Sequence, residues 1–193
     1  MIRPRSGDFI YSNYEIETME MDIDAIRASG LSGVVFGANL DNYKLDEKVL
    51  ERLCKRAQGL GKTVHRCFDL IPDLNEGIET AINLGFERIL TSGFAKQAIP
   101  DGIPNLQKAI EISAGRISIM PGSGINSENI SEIIKIKGII ELHSSCSKIK
   151  KTIENENNFK IDFGFSKGMP SRITCANEVK KLRDKINYLL NKE

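Results

Sequence analysis

The chain of 193 residues is 40% hydrophobic and 27% charged, which suits one soluble globular domain over residues 1–193 and excludes a chain disordered throughout. Lys and Arg number 27 against 26 Asp and Glu, so the net charge of +1 gives no general pull toward nucleic acid or an anionic membrane. No run approaches the ~18 apolar residues of a membrane span, and the start MIRPRSGDF lacks the apolar core of a signal peptide, which leaves a cytoplasmic protein as the expectation.

Six strand-then-helix units follow one another. Met1 to Arg5 reads as the first strand. Ser12 and Glu15 then form a capping box before Ile16, Met19, Ile23 and Ile26, which recur at helical spacing up to Gly30. Gly33 to Gly37 is the second strand, and Leu45, Val49, Leu50 and Leu53 mark its helix, ending near Gly59 and Gly61. Thr63 to Asp69 leads to a helix within Asp73 to Gly85 capped by Asp73 and Glu76, and Arg88 to Gly93 leads to one within Ile103 to Ala114. Arg116 to Gly122 precedes a helix from about Asn126 to Ile136. Ile139 to Ser145 is the sixth strand, and the last helix carries Val179, Leu182, Ile186 and Leu189 on one face. Between them, residues 148–170 are rich in Lys, Asn, Glu and Gly and read as a long loop or insertion.

Alternating βα units imply a parallel sheet covered by helices, with the chemistry at the carboxyl ends of the strands. Short strands and polar strand ends predict an α/β, TIM-barrel-like (β/α)n fold with six of the usual eight units. We therefore expect an incomplete barrel that lacks an amino-terminal βαβα segment, and edge strands that pair with another copy as a homo-oligomer.

Alternation along strands places Glu141, His143 and Ser145 on one face, with Ile140 and Leu142 packed under helices. The same parity groups His65, Cys67 and Asp69, and sets Arg3 and Arg5 together. A pocket of Arg3, Arg5, His65, Asp69, Glu141 and His143 follows, in which the arginines hold an anion while His65, Asp69, Glu141 or His143 transfers protons; a structural ion network is the other reading of the same residues. The Pro121–Gly122–Ser123–Gly124 turn, with Thr91, Ser92 and Gly93 beside it, offers backbone N–H groups to a phosphate or carboxylate, or is simply a turn with a helix cap. Cys54, Cys67, Cys146 and Cys175 are scattered without a CxxC pair, so reduced thiols are expected. Cys67 beside His65, and Cys146 near His143, are the candidate metal-ligating thiols.

The stretches MIRPRSGDF (Met1 to Phe9), GVVFG (Gly33 to Gly37), HRCFD (His65 to Asp69), RILTSG (Arg88 to Gly93), IMPGSGI (Ile119 to Ile125) and ELHSS (Glu141 to Ser145) resemble, in the same order, blocks of the CutC family of copper homeostasis proteins. The resemblance implies a TIM-barrel-like fold, a cytoplasmic setting and a copper ion, Cu(I), as ligand. Cys67 stands where the family usually has Ala, and Ser123 where it usually has Gly. The two strands that can carry the family's candidate copper-binding cysteines are expected to be absent. Two paired cations, Arg3 and Arg5, repel a metal and suit a carboxylate or phosphate, so an isomerase, lyase or hydrolase acting on a small anionic metabolite is the alternative function.

Overall fold

The computed structural model describes residues 1–150 and 172–191, which fall into two compact units. Most of the 148–170 segment lies outside the described residues. The first unit spans residues 1–125 and 132–144 and is built on four parallel strands, β1 (Gly33–Phe36), β2 (Gly61–Val64), β3 (Arg88–Thr91) and β4 (Ser118–Pro121), hydrogen-bonded in chain order. Register runs Val34 to Lys62, Val64 to Ile89 and Ile89 to Ile119. The β-branched and aromatic content of Gly33–Phe36 and Arg88–Thr91 suits a pleated surface buried on both sides.

Each crossover is a helix whose ends are set by its own sequence. Helix α1 (Asn13–Ala28) opens on the Ser12–Glu15 capping box, and α3 (Leu74–Asn83) opens on Asp73, whose side chain accepts the Glu76 amide. Helix α2 (Glu47–Arg56) is capped by Asp46, while α4 (Ile103–Ser113) starts at Gly102 with a proline in its first turn. The core is where their apolar stripes meet the sheet: Ile16, Met19 and Ile23 of α1, Leu50 and Leu53 of α2, Ile78 of α3 and Leu106 of α4 are all buried. Burying each such side chain contributes about 2 kcal/mol against an exposed reference.

The structure shortens four of the expected elements. Only Ile2 of the first segment joins the sheet, its N–H donating to Val35 O at 2.8 Å, because Pro4 has no N–H to continue a ladder. The sixth segment likewise makes one bond to the sheet, from His143 N to Pro121 O at 2.8 Å. Without a regular ladder there is no pleat to bury alternate side chains, and Ile140 is 80% exposed where packing was expected. The third strand ends at Val64, and the chain coils into a 3₁₀ turn over Arg66–Leu70. The helix expected from Asn126 is reduced to the single turn α5 (Ile130–Ile133), because the Asn126 side chain accepts the Glu128 and Asn129 amides and holds its own residues in a turn.

The second unit comprises residues 126–131 and the described part of 145–193. Its β5 (Ser147–Ile149) pairs antiparallel with β6 (Arg172–Thr174), so Lys148 and Ile149 are in a strand rather than a loop, and α6 (Ala176–Leu190) buries Leu182. No helix among the described residues is long and apolar enough to cross a membrane.

One close approach fixes the β3–α4 connection. Gly93 has φ +72°, and a Cβ added to Gly102 would lie 1.9 Å from Ser92 O. Gly102→Ala is expected to cost about 3 kcal/mol by forcing these backbones apart, measured as a lowered urea midpoint at unchanged slope.

Candidate functional site

The carboxyl end of β2 is organised by the turn that replaces its last residues. His65 caps the 3₁₀ turn, its Nδ1 accepting the Cys67 N–H at 3.2 Å, and the turn carries Asp69 across to β3. There the Asp69 carboxylate, 8% exposed, is enclosed by donors. Thr91 Oγ1 lies 2.5 Å from Oδ1; Ser92 N lies 3.0 Å from Oδ1 and 3.1 Å from Oδ2; Phe94 N lies 3.3 Å from Oδ1. Ser92 Oγ at 3.0 Å and Arg66 Nε at 2.7 Å complete the shell around Oδ2.

This corrects two expectations. The strand-end donors Thr91, Ser92 and Gly93 were expected to hold a ligand anion; Thr91 and Ser92 hold Asp69, and the Gly93 N–H goes to Thr91 Oγ1 at 2.9 Å. Asp69, expected as a proton-transfer group, has its lone pairs occupied, so it acts as an internal anion. The Gly122 N–H is also used, donating to Thr91 O at 2.9 Å. Gly124 sits against Gln97, and Ser123, at φ +83°, holds Lys96 O through its hydroxyl at 2.9 Å.

The other expected residues part company. Glu141 pairs at 2.6 Å with Arg88, the residue that opens β3, at the opposite end of that strand from Thr91. His143 is exposed beside Gly122, and Cys146 belongs to the second unit, where its carbonyl accepts the Cys175 N–H. Arg5 is consumed by the loop that follows it: Nε meets Glu15 at 2.5 Å, and Nη2 meets Asp8 Oδ1 at 2.8 Å and Ile10 O at 2.6 Å. It clamps residues 6–11 instead of facing a ligand. A strand parity cannot reveal this, because the loop partners lie outside the strand.

A second group forms beneath that clamped loop, at the carboxyl ends of β1 and β2. Phe9 lies against His65 with ring centroids 4.7 Å apart, and the Arg3 guanidinium lies 4.7 Å above the Phe9 ring. Asn39, just past β1, donates its amide N–H to Phe9 O at 2.9 Å and its side-chain Nδ2 to Tyr43 O at 2.8 Å and Cys67 O at 3.4 Å. His65 Nε2, Asn39 Oδ1 and Tyr11 Oη are buried and have no hydrogen-bond partner among the described residues. Desolvation, with the Arg3 charge adding to it, pushes the His65 imidazole down to about 4, so it is neutral at pH 7. Tyr11, Phe9, Asn39 and Arg66 were not singled out in the sequence. For Asn39 a signal exists, a polar residue just beyond a strand's carboxyl end.

Cys67 Sγ and His65 Nδ1 face the same glycine: a Cβ added to Gly37 would lie 2.3 Å from the sulfur and 2.8 Å from the nitrogen. Thiol and imidazole are soft donors that fit Cu(I), but burial pushes the Cys67 thiol up, and a metal must displace that proton. Among the described residues no three His, Cys, Asp or Glu side chains gather as a metal-ligand set.

The model of the CutC family matches residues 1–148. A CutC family protein of Rhizobium meliloti (strain 1021) is 48% identical over 188 residues, covering 97% of this chain and 74% of that relative. One of Bacteroides fragilis (strain YCH46) is 39% identical over 190 residues, 98% of this chain and 75% of its own. Among solved structures, CutC from Streptococcus agalactiae, described as a candidate copper homeostasis protein, matches with a TM-score of 0.69 at 34% identity, over 74% of this chain and 69% of its own. An aldolase matches with a TM-score of 0.54 at 16% identity, over 66% of this chain and 60% of its own, a likeness of fold alone. The fold is thus α/β and TIM-barrel-like. The chain belongs to the CutC family.

Two outcomes follow from the geometry. Asp69→Ala leaves the Ser92 and Phe94 amides without their acceptor and removes the Arg66 Nε partner, and is expected to cost about 3 kcal/mol in urea unfolding at pH 7. For His65, the unfolded chain takes up a proton near pH 6.5 that the folded chain refuses until about 4, so its contribution is a stability lost as pH falls through that window. Between pH 7 and pH 5 the native protein should lose about 2 kcal/mol more than His65→Gln, a difference read from paired denaturant titrations.

Proposed function

We propose that this member of the CutC family binds a small anionic metabolite at the carboxyl ends of β1 and β2 in the cytoplasm, and acts on it as an isomerase, lyase or hydrolase. The observation that carries this reading is the buried His65 Nε2, which has no partner among the described residues. Because Nδ1 accepts from Cys67 N, the imidazole proton sits on Nε2, and the neutral ring presents an N–H donor into a water-poor site. A neutral histidine of this kind polarises an acceptor oxygen rather than serving as a cation. The positive charge comes from Arg3, whose guanidinium caps the Phe9 ring that packs on His65. A cation in that place draws an anion toward the site and opposes a metal ion.

Copper binding is the second reading, favoured by the adjacency of Cys67 and His65 about Gly37. Isothermal titration separates the two. With a panel of small carboxylates and sugar phosphates, we expect saturable binding that weakens at least about tenfold in Arg3→Ala and is unchanged in Cys67→Ala. Stoichiometric Cu(I) uptake in competition with a chelator, lost in Cys67→Ala and kept in Arg3→Ala, with no anion binding, would replace this proposal with the copper reading.

A further inference from the structure

The unpaired atoms of the group beneath residues 6–11 have a definite hydrogen-bonding sense. His65 Nε2 carries a proton and needs an acceptor. Asn39 is oriented by its Nδ2, which donates to two carbonyls, Tyr43 O at 2.8 Å and Cys67 O at 3.4 Å, so Oδ1 needs a donor. The two residues are 3% and 2% exposed, and solvent does not meet either need. They are tied into one neighbourhood: Asn39 N bonds Phe9 O at 2.9 Å, Phe9 packs on His65 at 4.7 Å, and Asn39 Nδ2 and His65 Nδ1 both engage the backbone of Cys67. Tyr11 Oη, which can donate or accept, is the third unpaired atom. Folded proteins pair nearly all buried polar groups, so a lone donor and a lone acceptor held together call for something that supplies both senses at once.

Few chemical groups do so. A carboxylate or a phosphate dianion only accepts; it would answer Nε2–H but set negative charge against Asn39 Oδ1. An ammonium only donates and would leave His65 unanswered. A hydroxyl accepts through its lone pairs and donates through its proton, as water does. Resting on the proposed anion-binding role, we infer that the metabolite is a small hydroxy acid whose hydroxyl accepts from His65 Nε2–H and donates to Asn39 Oδ1, while its carboxylate lies toward Arg3. Tyr11 Oη is the remaining contact to the same hydroxyl-bearing end. Discrimination then rests on the hydroxyl, because an analogue without it leaves a buried donor and a buried acceptor unanswered.

Paired titrations test this on the full chain: glycolate, lactate and malate against acetate, propionate and succinate. The hydroxy acids are expected to bind at least about tenfold tighter than their deoxy counterparts. His65→Phe, which keeps the ring against Phe9 but has no N–H, should erase that preference; should it fail to fold, Tyr11→Phe serves instead and is expected to lower the preference. Equal affinity for both sets in the native protein would overturn the hydroxy-acid inference and leave the anion site standing. Binding of neither set up to about 10 mM would remove both and leave ordered water as the partner of these atoms.

Discussion

A carboxylate enclosed by its own protein governs this rim. Asp69 comes from the turn after β2 and is gripped by Thr91 at the end of β3 and Ser92 and Phe94 just past it, with Arg66 closing the far side. Backbone amides at the end of a parallel strand are a ready anion site. Here the anion is covalently part of the chain, which locks two adjacent βα connections in register. The close approach of Gly93 to Gly102 falls in the same segment, between the Ser92 and Phe94 amides that donate to Asp69.

With that side of the rim filled, the ligand chemistry proposed above falls to the neighbouring pair of strand ends. Three effects meet there. The Arg5 pairs with Asp8 and Glu15 hold residues 6–11 over the site, but they are partly exposed and individually modest. Burial keeps His65 neutral, and Arg3 adds to that by disfavouring a second positive charge nearby. Of these, burial is the largest influence on His65, which is why the site offers a hydrogen-bond donor and not an imidazolium. The same burial holds the Cys67 thiol protonated and inert, so a donor pair attractive on paper for copper is electrostatically reluctant to accept it.

How much of this could be read from the chain follows from the range of each interaction. Helix starts are local, and Ser12 with Glu15, and Asp73 with Glu76, announced α1 and α3 correctly. The parallel βα order was legible because each strand is a short apolar run between caps. Strand parity failed as soon as it was extended past the true strand ends. His65, Cys67 and Asp69 are not alternate positions on a pleat but successive points on a 3₁₀ turn, and that change of period sent Asp69 toward β3 and His65 toward β1. Glu141 was misplaced for a related reason: its partner Arg88 is 53 residues away in sequence, and nothing local indicates the pairing. Arg3 and His65 were among the residues the sequence offered, Asn39 carried the signal of a polar residue just past a strand end, and Tyr11 became visible only through the atom it leaves unpaired.

The division of labour between the two neighbouring sites is most directly read by two-dimensional NMR of the labelled protein during titration with lactate. If Asp69 fills one site and the ligand enters the other, the His65 Nε2–H resonance will move saturably while the Ser92 and Phe94 amides stay in place. Movement of those two amides with a stationary His65 signal would show that the anion competes with Asp69 instead, and the assignment of roles would have to be reversed.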